Sequence, residues 1–369
     1  MMSIFVYGIS FGIILLSAWG YQHYEKKETY IGKINIKKFF LVFIFICPIL
    51  LAGLRYDVGT DYLAYLEMYN NIKVFNPIEF WSQQVEIYQV EPLFYLLCRM
   101  IYLIYDNPIV FFAICELLIV LFIFEGIKNF NGSQDMLLSF MIFLFAFFPL
   151  TLNIIRQAIA MAIIFFAFSL FFKKRYVLTF LAIIFATGFH STAFLFYTIF
   201  LFVKFKNEKW NRLKSIAYLF MILCTPIILK ILLLVVSKIP VFDLYFRRYE
   251  LNFDNGGIGF LINILPILIP CTYYGIKSNL FKSEMSPIFE IYLLQIPLSY
   301  LGYYAGWASR LSSYASTVEI ILVPYILRTI KNEKEKRIIK LYFIIYYLGY
   351  FVVNFCLLGH SQIFPYKFL

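Results

Sequence analysis

From Phe39 to Leu54 the chain carries no charged side chain, and runs of this kind recur almost to its end. A segment like that has one comfortable environment, a lipid bilayer crossed as a helix that satisfies its own backbone polar groups. The windows that read this way are 3–19, 39–54, 108–124, 136–150, 158–172, 176–189, 191–203, 215–236, 258–274, 287–301, 311–327 and 341–358. Of the 369 residues, 62% are hydrophobic and only 14% charged, whereas a soluble chain carries roughly 45–50% and about 25%. The expected fold is an all-α polytopic membrane protein with about 12 transmembrane helices. No linker divides the chain, so residues 1–369 read as a single transmembrane domain. The start of the chain lacks a basic n-region and a small-residue cleavage site, so 3–19 reads as a retained first span.

A net charge of +11 invites a nucleic-acid reading, but the distribution of charge opposes it. Basic residues crowd into four short loops, around Lys26–Lys38, Lys173–Arg175, Lys204–Lys214 and Lys331–Lys340. That is the positive-inside pattern of a membrane protein. With those loops in the cytoplasm, both termini lie outside, and the loops holding Arg55, Arg156, His190, Arg247 and Arg310 share the external side. Glu91–Tyr105 is too short to cross comfortably and carries Arg99 in its middle. It reads as a re-entrant or interfacial helix that completes an external loop region at about 55–107.

Six scattered cysteines without a CxxC pair read as packing residues. Three histidines without an HExxH motif give metal chemistry little support, although a divalent ion held by carboxylates stays open. No metal and no cofactor are expected.

The chemistry concentrates where the apolar runs stop. In Gly53–Tyr65, GLRYDVGTDYLAY, an arginine, two aspartates and a Gly-Thr turn follow a membrane helix directly. Arg55 suits bidentate phosphate binding, and Asp61 would orient it or accept a proton. Tyr62, Tyr65 and Tyr69 recur on one helix face and would offer rings for sugar stacking. The plainer alternative is a helix-capping ion pair beside a tyrosine belt. Arg156, in NIIRQ, opens a helix, where an anion would be welcomed by the guanidinium, the dipole and free N–H groups together. The alternative is an arginine reaching for headgroups. His190, between two helices at Gly188 and Ser191, is an ionisable group in an apolar hairpin and suits a general base on a sugar hydroxyl. Arg310, with Trp307 and Tyr314, opens another helix, and Arg247 and Arg248 sit in a late external loop; these three arginines are further anion-binding candidates. Arginines gathered on one side point to a ligand with two or more negative charges. Phe364-Pro365-Tyr366 and Lys367 are expected to fold back over the same face.

In order, GLRYDVGTDYLAY, EPLFYLL, NIIRQAIAMAI, FHSTAF, the Arg310-x-x-x-Tyr314 spacing and the tail Phe364-Pro365-Tyr366 resemble the EpsG family, Wzy-like polysaccharide polymerases of bacterial envelopes. The resemblance implies a fold similar to membrane-embedded glycosyltransferases that use lipid-linked donors. It implies an inner-membrane enzyme joining oligosaccharide repeat units carried on undecaprenyl diphosphate into O-antigen, capsule or exopolysaccharide, with the lipid bilayer and a chain-length regulator as further partners. No DxD or ExD pair stands in an early loop, which argues against a metal role. In that setting Arg55, Arg156 and Arg310 would stabilise the diphosphate, His190 or Asp61 would accept the proton, and the tyrosines would hold sugar rings. A lipid-linked oligosaccharide flippase, an O-antigen ligase and an acyltransferase are the competing functions.

Overall fold

The computed structural model describes residues 2–25, 30–31, 34–74, 90–132, 134–197, 199–200, 259–280, 283, 285–302 and 306–369. Apart from a two-residue antiparallel pair, Tyr30–Ile31 with Ile34–Asn35, and a single bridge between Arg55 and Phe368, the described residues form helices, turns and irregular connections. Among the described residues, five helices are long and apolar enough to cross a membrane, and four shorter apolar helices accompany them. The chain is an all-α membrane protein. Of the expected windows, 215–236 lies outside the described residues.

The described chain gathers into two compact units, residues 1–194 with 334–369, and 195–333. The first begins with α1 (Met2–His23) and α2 (Ile36–Gly53), followed by α3 (Tyr62–Val74) and α4 (Pro92–Ile104). It continues through α5 (Pro108–Asn131), α6 (Met136–Thr151), α7 (Ile155–Phe172) and α8 (Tyr176–Phe189).

Each boundary has a local cause. Asn107 caps α5 by accepting from the Ile109 N–H at 2.8 Å, and Pro108 fills the first helical position, where no donor is needed. In α6, Pro149 has no N–H to offer the carbonyl four residues back. The helix widens there into a π turn, Phe143–Phe147, with the Phe148 N–H reaching the Phe143 carbonyl.

Contacts at their ends fix how these helices run. At one end, Leu137 N–H donates to Gln22 Oε1 at 3.1 Å and Lys173 Nζ to Asn129 Oδ1 at 2.9 Å. That end collects the finish of α1, α5 and α7 and the start of α2, α6 and α8. Lys37, Lys38, Lys128, Lys173, Lys174 and Arg175 therefore share it. At the other end lie residues 54–61, the α6–α7 turn and His190. Helix α4 does not cross: Glu91 at its start and Asp106 just past its finish both sit at this second end, against Arg156 and Tyr69. Arg99, in its middle, donates to the Ile72 and Lys73 carbonyls at 2.9 and 3.3 Å, covering the finish of α3.

The second unit holds α9 (Leu261–Lys277), α10 (Ser286–Leu293), α11 (Gln295–Gly302), α12 (Gly306–Ser316) and α13 (Glu319–Thr329). The windows 287–301 and 311–327, expected as continuous spans, are each broken in two. The second break falls where the Ser316 and Thr317 hydroxyls bond back to the Ser313 and Tyr314 carbonyls at 2.8 and 2.7 Å, competing with the helical ladder.

The last helix, α14 (Glu333–Phe351), continues as a π turn through Val352–Leu357 and belongs to the first unit from Lys334 on. Phe351 packs on Tyr7, Phe11 and Phe145, so α14 finishes at the site end, and Lys334, Lys336, Arg337 and Lys340 stand at its opposite end.

Candidate functional site

Leu54 ends α2, and the chain then turns through residues 55–61 across the start of α7. Gly59 makes the turn possible. Its φ is +101°, and an added Cβ would lie 2.8 Å from both Asn153 Oδ1 and the Leu152 carbonyl. Two direct bonds hold the close approach. Arg55 Nη1 donates to the Leu152 carbonyl, and Thr60 Oγ1 donates to Asn153 Oδ1 at 2.9 Å. Asn153 Nδ2 in turn donates to the Pro149 and Ser361 carbonyls at 3.1 and 3.0 Å.

Ser361 belongs to a tail that folds back over this loop, as expected for Phe364-Pro365-Tyr366. Tyr56 N–H donates to the Lys367 carbonyl, Gly59 N–H to Gln362, and Leu369 N–H to Leu54. Tyr366 OH donates to the Leu51 carbonyl at 2.8 Å, and exposed Lys367 pairs with Asp57 at 3.1 Å.

Arg55 is 1% exposed. Its guanidinium lies over the rings of Tyr62 and Phe112, 5.5 and 4.9 Å from their centroids. Burial pulls its pKa down to about 10, opposed by the nearby Glu116, Tyr7, Tyr62 and Tyr366, so it is charged at neutral pH. Glu116 is one of two acidic residues near the site to which the sequence alone assigns no role. It is 2% exposed within α5, and its Oε1 has no hydrogen-bond partner among the described residues. Its signal was legible, a carboxylate inside the apolar run PIVFFAICELLIVLFIF.

The tyrosines of α3 do not form an open stacking surface, which corrects the expectation for them. Tyr62 stacks on Phe112 at 4.7 Å and Tyr69 on Phe111 at 4.8 Å, because the periodic face of α3 is also its apolar face and packs on α5. Tyr69 OH donates to Asp106 Oδ1 at 3.3 Å, and Tyr65 OH accepts from the Arg156 N–H at 3.3 Å. Asp61 is half-buried at the start of α3, and its carboxylate has no bond among the described residues.

The densest polar arrangement centres on Glu91, whose role in EPLFYLL was not assigned from sequence. Glu91 occupies the position just before α4, ahead of Pro92, and its side chain makes no bond to that helix's own N–H groups. Helix α8 reaches it because Gly188 lets Leu93 come close; a Cβ there would meet the Leu93 side chain at 2.5 Å. Glu91 Oε2 accepts from Arg156 Nη1 at 2.8 Å. Glu91 Oε1 meets His190 Nδ1 at 2.9 Å and accepts from the Ser191 N–H at 3.1 Å. Burial pushes the Glu91 carboxyl up, but His190 and Arg156 outweigh it and hold the group below the usual carboxylate range. His190 closes α8 and is 7% exposed. Thus Arg156 and His190, far apart in sequence, share one carboxylate.

Residues 38–368 match the profile of the EpsG family, most of the chain. The chain belongs to the EpsG family. No curated protein and no solved structure matches it. The EpsG match spans both units, and with it both groups of sequence-derived candidates. In the second unit Arg310 is exposed on α12, and Tyr314 is fully buried with its ring 5.1 Å from Phe196. Arg247, Arg248 and the side chain of Trp307 lie outside what is described.

Proposed function

We propose that this EpsG-family chain is a polysaccharide polymerase that joins undecaprenyl-diphosphate-linked oligosaccharide repeat units on the outer face of the cytoplasmic membrane. The observation that carries the reading is the single Glu91 carboxylate that brings an anion-binding arginine, Arg156, and a buried imidazole, His190, to one site. A glycosyl transfer from a lipid diphosphate requires those two functions. The leaving group is already good and needs fixed positive charge as its electrons arrive, while the acceptor hydroxyl needs a base.

In the proposed step the growing chain on its lipid diphosphate is the donor. The acceptor hydroxyl of a fresh repeat unit attacks the donor's anomeric carbon, and its proton passes to His190 Nε2. The bond from that carbon to the diphosphate oxygen breaks, and its electron pair leaves with undecaprenyl diphosphate. Arg156, at the positive end of α7, takes up the developing charge. Arg310, Arg247 and Arg248 are further diphosphate ligands in this reading. Arg55, buried and bonded to Leu152, contributes by fixing the turn that carries Arg156.

The outward placement is supported by charge. Basic residues cluster at the end of the first unit opposite Arg156 and His190, and such clusters mark the cytoplasmic side. The reading also carries about 12 crossings, external termini and a chain-length regulator as partner.

The test is reconstitution of the purified chain in vesicles with lipid-linked repeat units extracted from cells lacking it. Extension of the units with one undecaprenyl diphosphate released per linkage is expected. Movement of intact units across the bilayer without extension would replace this reading with a flippase. Transfer to lipid A core alone would replace it with a ligase.

A further inference from the structure

Glu91 has three neighbours, and each must be a donor. An ionised carboxylate only accepts; it takes one hydrogen bond from Arg156 Nη1 and one from the Ser191 N–H. The third contact, 2.9 Å from Oε1 to His190 Nδ1, is a hydrogen bond only if Nδ1 carries a proton. In the neutral imidazole that leaves Nε2 bare, and Nε2 is buried with no hydrogen-bond partner among the described residues. Among the described residues, the charged and titratable groups facing this imidazole are Glu91 from α4 and Arg156 from α7, with Tyr65 of α3 bonded to the Arg156 backbone.

We infer that Glu91 is a positioning residue that fixes the His190 tautomer with Nε2 as the open acceptor, and that ties this base to the anion-binding Arg156. The consequence is geometric: seating a diphosphate against Arg156 and presenting an acceptor hydroxyl to Nε2 are referred to the same carboxylate. It also explains how a cation is tolerated at the start of α7 before an anion arrives, since Glu91 supplies the negative charge that the helix dipole favours there. The activity consequences rest on the polymerase reading; the tautomer itself does not.

Two measurements therefore separate the two claims. The chain has 3 histidines, so protein labelled with 15N-histidine gives few resonances, and His190→Gln identifies those of His190. The wild-type protein is expected to show neutral His190 protonated at Nδ1. In Glu91→Gln fixed donors, Arg156 Nη1 and the Ser191 N–H, face both sides of the amide, so its NH2 cannot be placed without displacing one of them, and the fixed preference for Nδ1 protonation is expected to be lost. With extracted lipid-linked units as probe, Glu91→Gln is expected to lower kcat by about 100-fold or more, the usual contribution of a positioned base. KM should change by less than about threefold, because ground-state binding is retained. Glu91→Asp should recover part of kcat. A wild-type His190 protonated at Nε2 overturns the inference, and so does a Glu91→Gln variant whose loss lies in KM alone. If wild-type protein does not extend the units, the polymerase reading falls while the resonances still decide the tautomer. Should Glu91→Gln fail to fold, the wild-type spectrum and Glu91→Asp remain decisive.

Discussion

The Thr60 hydroxyl donates to Asn153 Oδ1 across 2.9 Å, joining the loop after α2 to the turn that starts α7. Asn153 is 3% exposed and spends its amide protons on Pro149 and Ser361, so three segments meet on one side chain. Asn153→Ala should leave the Pro149 and Ser361 carbonyls and the Thr60 hydroxyl without it. Each buried group left unsatisfied costs about 1–3 kcal/mol. The thermal midpoint of purified Asn153→Ala should fall markedly, and that of Thr60→Val by a smaller amount. An unchanged midpoint for Asn153→Ala would show that the three-way junction contributes nothing.

Gly59 offers a sharper version of the same test. An alanine there must adopt a φ that L residues rarely take and must also displace Asn153 or Leu152. Strain of this kind costs on the order of 1–3 kcal/mol before any steric clash is added. Gly59→Ala should reduce both folded yield and polymer formation, read by detergent-soluble recovery and by gel, whereas Gly349→Ala, which meets nothing within 4 Å, should change neither.

Arg55 is buried, donates to the Leu152 carbonyl and lies over the rings of Tyr62 and Phe112. A buried carbonyl left without its donor costs about 1–3 kcal/mol. Arg55→Met should therefore lower stability in chemical unfolding by an amount of that order, and Arg55→Lys, which keeps the charge but loses the planar fork, should recover only part of it. Wild-type stability in Arg55→Met would show that the bond to Leu152 contributes nothing.

Glu91 sets a pH dependence whose sign follows from its lowered pKa. A carboxyl held below its ordinary 4.5 contributes stability that is present above that value and is lost as pH falls through the folded-state pKa. The thermal midpoint of the wild-type protein should drop as pH is lowered past 4.5, and Glu91→Gln should flatten that part of the profile. Parallel wild-type and Glu91→Gln profiles would remove Glu91 as the cause.

Much of this was readable in the chain, and the misreadings have physical causes. The apolar runs fixed the class, and 176–189 matches α8 to the residue because Gly188 and Ser191 punctuate it. Glu91–Tyr105 announced its short span through length and Arg99. Periodicity found the correct face of α3 but not what covers it, because tyrosines that stack on sugar and tyrosines that stack on Phe111 and Phe112 share one spacing. Glu91 was hidden since its partners lie 65 and 99 residues away. The breaks in 287–301 and 311–327 arise from serine and threonine hydroxyls and prolines inside windows whose mean apolarity is unaffected.

The central claim is that Arg156 stabilises a lipid diphosphate as a glycosidic bond forms. Its most direct test is the length of surface polysaccharide in cells whose sole copy carries Arg156→Ala, with protein level matched to wild type by immunoblot. The account predicts that long chains disappear and single repeat units remain, as they should with His190→Ala. Polymer of wild-type length and amount from Arg156→Ala would contradict it.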